Sequence, residues 1–206
     1  MYIVVRLYSD GGPAFEERAR RTRDGLVPLL REHEGFRAYC AFRCDHGFAV
    51  SIVVFESSQA AVAVHERIRR WAISNLGDLT TGSPELLSGE VLYEELAPEK
   101  QAGCSPYILI AEYDAAPEAL VPLAPHEREH LLRMLRPQTG PGGLYLFETE
   151  ADPRRLVGVV VLDERDGRAV ALQYVREAVR LQFKEASLNP RRLMAGRALV
   201  AESTLS

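Results

Sequence analysis

V-S-I-V-V-F-E at Val50–Glu56 returns, changed in letters but not in character, as V-G-V-V-V-L-D at Val157–Asp163. Each copy is followed by a polar break and then by a run that opens almost alike, A-V-A-V at Ala61–Val64 and A-V-A-L at Ala169–Leu172. Self-similarity at a fixed distance signals a repeat architecture. The distance holds along the chain, from Tyr2 and Tyr107 at the start of the two copies to Gly89 and Gly196 near their ends.

Working outward from Val50–Glu56, the residues before it form a hairpin. Phe36–Cys44 reads as a strand, D-H-G at Asp45–Gly47 as a tight turn, and Phe48–Glu56 as the partner strand. Ser57 or Ser58 caps a helix that reaches about Leu76. Gly77–Ser88 reads as a loop and Gly89–Leu96 as a strand. Upstream, Tyr2–Tyr8 is a β-branched and aromatic strand closed by S-D-G-G-P. A helix then opens near Pro13 and runs to about Glu32, weakened by Gly25 and Pro28. The order is βαββαβ.

P-E-K-Q-A-G-C-S-P at Pro98–Pro106 has the composition of a linker, and after it the order starts again. Tyr107–Tyr113 answers Tyr2–Tyr8, a helix is expected over His126–Arg136, and Leu144–Glu150 and Leu156–Asp163 make the second hairpin. Arg168–Ala186 supplies the second helix and Arg197–Glu202 the last strand. The expected organisation is therefore a first repeat over 1–97, a linker over 98–106 and a second repeat over 107–206. A βαββαβ unit lays an antiparallel sheet against two helices on one face. Its strands here are apolar on both faces, with Val50, Ile52 and Val54 on one and Val53 and Phe55 on the other. Such a sheet needs cover on both sides. The expected fold is α+β, two tandem ferredoxin-like repeats whose antiparallel sheets pack into a pseudo-dimeric α+β barrel.

Composition sets the outer limits of function. The 206-residue chain is 47% hydrophobic and 26% charged, with a net charge of −4, and offers no broad basic field for nucleic acid. M-Y-I-V-V-R-L-Y has no basic region before its apolar run and reads as a strand rather than a leader. No apolar run approaches the roughly 18 residues that span a bilayer. A cytoplasmic protein with neither membrane nor nucleic-acid partner is expected, an internal pseudo-dimer that exists as a monomer or a homodimer. Cys40 and Cys44 lie about 13 Å apart along one strand, too far for a disulfide, and with Cys104 they read as small hydrophobes in a reducing compartment.

Three groups of residues could carry chemistry. H-E-R-E-H at His126–His130 matches H-E-x-x-H, in which two histidines share a helix face and bind zinc. Pro125 puts it in a first helical turn, however, where acidic residues are explained by the helix dipole, and no metal site is expected. Trp71 lies on the buried stripe of the second helix with His65 and Asn75 at its edges. It is either a flat wall for an aromatic ligand, with Asn75 as a donor, or a core residue. Arg6, Tyr39 and Arg43 form the third group. A charge inside a strand buried on both faces needs partners, and Glu112, Glu90 and Glu94 are the expected ones; the competing reading is an anionic ligand. No phosphate-binding glycine loop and no Ser-His-Asp arrangement occurs, and no cofactor is expected.

The run Y-I-V-V-R-L-Y, then G-F-R-A-Y, then R-R-W-A-I-S-N-L on a helix, then G-E-V-L-Y resembles the dimeric α+β barrel superfamily, which includes the antibiotic-biosynthesis-monooxygenase-like domains. The likeness covers the first half well and the second weakly. It implies a ferredoxin-like fold in a superfamily of cofactor-free monooxygenases, haem-degrading and chlorite-dismutase-like proteins, and lactone isomerases. The monooxygenase and haem-degrading members resemble one another in an Asn on the first strand and a Trp and a His at the second helix. This sequence has Arg6 on the first strand, Trp71 on the helix, His65 before rather than after it, and Val179 in the second repeat. The resemblance thus implies a protein binding a small apolar or aromatic molecule in the first repeat, around Trp71, Asn75, His65, Arg6 and Tyr39. The alternative is a cofactor-independent monooxygenase of aromatic polyketide-like substrates.

Overall fold

The structure is a computed structural model, and it describes residues 1–9, 12, 14–44, 47–79, 82–96, 106–114, 143–151, 153–162, 172–173, 176 and 190–204. The chain forms two compact units, one of Met1–Glu90 with Gly196–Ser206 and one of Val91–Ala195.

In the first unit, β1 (Tyr2–Tyr8), β2 (Phe36–Arg43) and β3 (Ala49–Phe55) are the strands expected from their β-branched runs. β3 pairs antiparallel with both neighbours, Tyr2 opposite Phe55 and Tyr39 opposite Val53. All seven residues of β3 are buried, as a strand that is apolar on both faces requires. The helix expected to reach Glu32 is present but not uniform. α1 (Ala14–Arg21) passes through a π-helical turn at Thr22–Leu26 into α2 (Val27–Arg31). Pro28 has no N–H to give the carbonyl four residues back, and Gly25 is the most permissive residue in the run, so the wider turn forms there. α3 (Ser58–Leu76) begins where its cap predicts, with the Ser57 hydroxyl accepting from the Ala60 N–H at 3.2 Å.

Tyr2, Val4, Tyr39, Ala41, Val53 and Phe55 leave the sheet on the side where they pack with Leu26, Val27, Leu30, Ala61, Val64 and Ile68 of the helices. Each fully buried aliphatic side chain of this kind stabilises the fold by about 1.5–3 kcal/mol. Ile3, Val5 and Phe42, fully buried, point to the opposite face.

The second unit repeats the strand pattern. β5 (Tyr107–Tyr113) pairs with β7 (Leu156–Leu162) as β1 does with β3, and β6 (Gly143–Glu148) pairs with β7 as β2 does with β3. Tyr107, Leu109, Ala111 and Tyr113 make one face of its core with Leu144, Leu146 and Val160. The expected helices at 126–136 and 168–186 and the linker at 98–106 fall outside the described residues, apart from residue 106 and helical 172–173 and 176.

The last strand of each repeat is longer than its sequence pattern suggests. β4 runs from Glu85 to Leu96 and β8 from Arg192 to Ser203. The reason is pairing at a distance: Glu85–Glu90 pairs with β1, and Val91–Leu96 with β6. Likewise Ala198–Ser203 pairs with β2. The boundary between compact units therefore falls inside β4 and β8. Gly196 sits at the second of these points, where an added Cβ would run into the Arg43 carbonyl. Followed from hydrogen bond to hydrogen bond, the strands run β1-β3-β2-β8-β5-β7-β6-β4 and close on themselves as a barrel. Within that ring, 4-1-3-2 is the ferredoxin-like order of the first repeat, met again as 8-5-7-6. Among the described residues no helix is long and apolar enough to cross a membrane.

Candidate functional site

The helix-covered face of the first unit brings most of the candidate residues together. Arg6 stands opposite Ser51 on β3 and Leu86 on β4, so it projects from the same face as Val4, Tyr8 and Tyr39. It is half-buried. Tyr39 is 5% exposed and shares a side-chain hydrogen bond with Ser51, itself 8% exposed. Burial pushes the Tyr39 phenol far above its usual range, with Tyr8 and Cys40 adding to the rise; the Arg6 charge and the Ser51 hydrogen bond act the other way.

Glu112 does not serve Arg6. It is fully buried in the second unit, and its carboxylate accepts from Arg155 Nη1 at 2.6 Å and from Arg192 Nε and Nη2 at 2.7 and 2.6 Å. The expectation of an Arg6–Glu112 pair fails because two guanidinium groups of its own unit saturate both carboxylate oxygens. Glu90 and Glu94 are exposed. Among the described residues no carboxylate forms an ion pair with Arg6. Arg43 is exposed at the end of β2.

Trp71 is half-buried on α3 and packs against the helix-side core. Its indole edge lies on the backbone of the π-helical turn, where a Cβ built on Gly25 would stand 2.8 Å from Cζ2 and 3.1 Å from Nε1. The glycine that weakens the first helix is thus the glycine that lets the indole in. Asn75 is turned back on its own helix, its Nδ2 donating to the Trp71 carbonyl at 2.8 Å, while its own carbonyl accepts from Arg21 at 2.7 Å. Arg21 also reaches Glu17 and Asp78, which ties α1 to the end of α3. Arg20 and Arg21 together hold the Glu17 carboxyl down at about 2. His65 is exposed.

Two further polar residues are buried in this unit. Arg18 is 6% exposed, with its guanidinium 5.6 Å from the Tyr8 ring centroid and 5.8 Å from that of Phe15. Thr22 is 5% exposed in the π-helical turn. Helical spacing from Phe15 and Ala19 marks both as inward positions.

His126 and His130 lie outside the described residues, as does Cys104. Among the described residues no group of three or more His, Cys, Asp or Glu could hold a metal ion, and Cys40 and Cys44 form no disulfide.

No known family profile matches the sequence. No curated protein matches it either. Solved structures do. A candidate monooxygenase of Fusobacterium nucleatum subsp. nucleatum superposes with a TM-score of 0.69 at 10% identity, over 98% of this chain and 94% of the other. An anthrone oxidase-like protein gives 0.55 at 12% identity, over 100% and 94%. A variant chlorite dismutase of Candidatus Nitrospira defluvii gives 0.54 at 15% identity, over 97% and 90%. At these identities the likeness is one of fold. With the strand order, it establishes that this chain has the fold of the dimeric α+β barrel superfamily.

Proposed function

We propose that the chain binds a small apolar or aromatic molecule in its first repeat, on the helix-covered face of the sheet, with Trp71 as the flat wall of the site. The observation that carries this reading is the placement of Trp71. It is the single tryptophan of the chain, and it is half-buried against a π-helical turn whose Gly25 admits the indole edge. Such turns interrupt α-helices at a cost in hydrogen bonding and are frequent at functional sites. Arg6 and Tyr39 supply polar groups on the same face. Asn75 and His65 belong to the rim of this reading, Asn75 by fixing the Trp71 turn and His65 by facing solvent.

Calorimetric titration with 2-naphthamide, a neutral flat aromatic, tests the reading. Saturable binding that weakens by about tenfold or more in Trp71→Ala is expected, since base-sized aromatic stacking contributes ~1–3 kcal/mol. Binding unchanged by the substitution, or no binding, would overturn it.

A second reading, cofactor-independent oxygenation of an aromatic polyketide-like substrate, is favoured by the likeness to the anthrone oxidase-like protein. Arg6 then stands where the resemblance asks for Asn, and His65 precedes Trp71 rather than following it. Oxygen uptake with anthrone that is abolished in Trp71→Ala supports this reading. Uptake no faster than without protein disposes of it.

A further inference from the structure

We propose that Arg6 is an anion anchor and that the ligand of the first repeat is an aromatic carboxylate. This deepens the reading around Trp71 and rests on it. Arg6 is a half-buried guanidinium in the middle of a strand, and its neighbours across the sheet are Ser51 and Leu86. Among the described residues no carboxylate pairs with it, and the buried carboxylate best suited by sequence, Glu112, is saturated by Arg155 and Arg192. A partly desolvated charge without a counter-charge is costly, and proteins retain such charges where a ligand completes them.

The surroundings narrow the anion. Ser51 and Tyr39 bring two hydroxyls to the same face, and their mutual hydrogen bond fixes them. The rest is apolar or aromatic: Val4 and Tyr8 on β1, and Leu86 on β4, which is 45% exposed and leaves this edge of the face open. A guanidinium fork donates two parallel hydrogen bonds to a carboxylate. One fork beside two hydroxyls and an apolar floor fits a single carboxylate on a flat hydrocarbon body. A phosphate ester would call for several cations.

The direction of α3 brings the tryptophan to the same end. α3 starts beside Phe55 and runs back along the sheet, so Trp71 lies about 20 Å from its first turn at 1.5 Å per residue. Ser51 lies about 13 Å from Phe55 at 3.3 Å per residue.

The test is calorimetric titration of the full chain with 2-naphthoate and with its neutral isostere 2-naphthamide. Wild type is expected to bind the acid about tenfold or more tightly than the amide. Arg6→Gln should remove that preference, bringing acid and amide within about twofold of each other, and Arg6→Lys should retain part of it. Thermal melting of each variant accompanies the titrations. An Arg6→Gln protein that melts as wild type does supports an anchor rather than a structural ion pair. One that unfolds overturns the proposal. Equal binding of acid and amide by wild type overturns the carboxylate while leaving the aromatic site standing. Binding of neither overturns both.

Discussion

Replacing Gly25 by Ala sets two effects of known size against each other. Gly25 lies in a helical segment, and in such a segment Ala is better than Gly by about 1 kcal/mol. The new Cβ, however, would stand 2.8 Å from Cζ2, 3.1 Å from Nε1 and 3.2 Å from Cε2 of Trp71. These atoms belong to a rigid ring packed against the helix-side core, so the ring or the backbone must move. Overpacking of this kind costs about 1–3 kcal/mol. Gly25→Ala should therefore destabilise wild type by up to roughly 2 kcal/mol. In a Trp71→Ala background the obstacle is gone, and the same change should stabilise by up to ~1 kcal/mol. The sign reverses, with a coupling of about 1–3 kcal/mol. Urea denaturation followed by circular dichroism measures all four proteins, because the readout does not depend on the tryptophan that is removed. A Gly25→Ala protein more stable than wild type, or one equally destabilised with and without Trp71, would refute the packing argument.

Other predictions follow from buried polar groups. The Tyr113 hydroxyl is buried without a hydrogen-bond partner among the described residues. Tyr113→Phe should therefore leave stability at pH 7 unchanged or raise it by ~1 kcal/mol, read as a shift in the urea midpoint. Glu112→Ala leaves two guanidinium groups facing each other without their carboxylate and should cost about 3–5 kcal/mol in the same assay. Burial pushes Tyr113 and Tyr145 up to about 12 and Tyr39 further. An unfolded tyrosine ionises near pH 10, so above that pH the unfolded chain releases protons that the folded one keeps. Stability should be flat with respect to these groups below pH 10 and then fall by about 1.4 kcal/mol per pH unit for each tyrosine. Tyr113→Phe should remove one tyrosine's share of that slope, and tyrosinate absorbance should appear together with unfolding.

The sequence was most informative where structure depends on near neighbours. β3 is legible because Val50, Ile52, Val53 and Val54 make a short β-branched run between turn signals, the mark of a strand buried on both faces. α3 is legible because Ser57 carries its own cap. The π-helical turn was foreshadowed by Gly25 and Pro28, but propensity locates a weak point without saying how the backbone resolves it. The early start of β4 was hidden. Glu85–Ser88 follows Pro84 and looks like loop, and it becomes strand only because β1 offers a distant edge. For the candidate site, Trp71, Arg6 and Tyr39 could be found from strand and helix periodicity. The partner assigned to Arg6 could not, since Glu112 was claimed by Arg155 and Arg192 from other turns of the chain. Arg18 is the faintest of these signals: among many arginines, only its spacing from Phe15 and Ala19 distinguishes it.

The division of β8 has a bearing on how the protein comes into being. The first unit consists of Met1–Glu90 together with Gly196–Ser206, and Ala198–Ser203 provides the strand that pairs with the open edge of β2. During synthesis, which proceeds at about 5–20 residues per second, the half made first must wait for a strand made much later. Until then β2 presents an unpaired edge, the kind of surface to which stray strands add. The interval lasts several seconds or more at such rates, and it makes the nascent chain, rather than the finished one, the state most exposed to wrong partners.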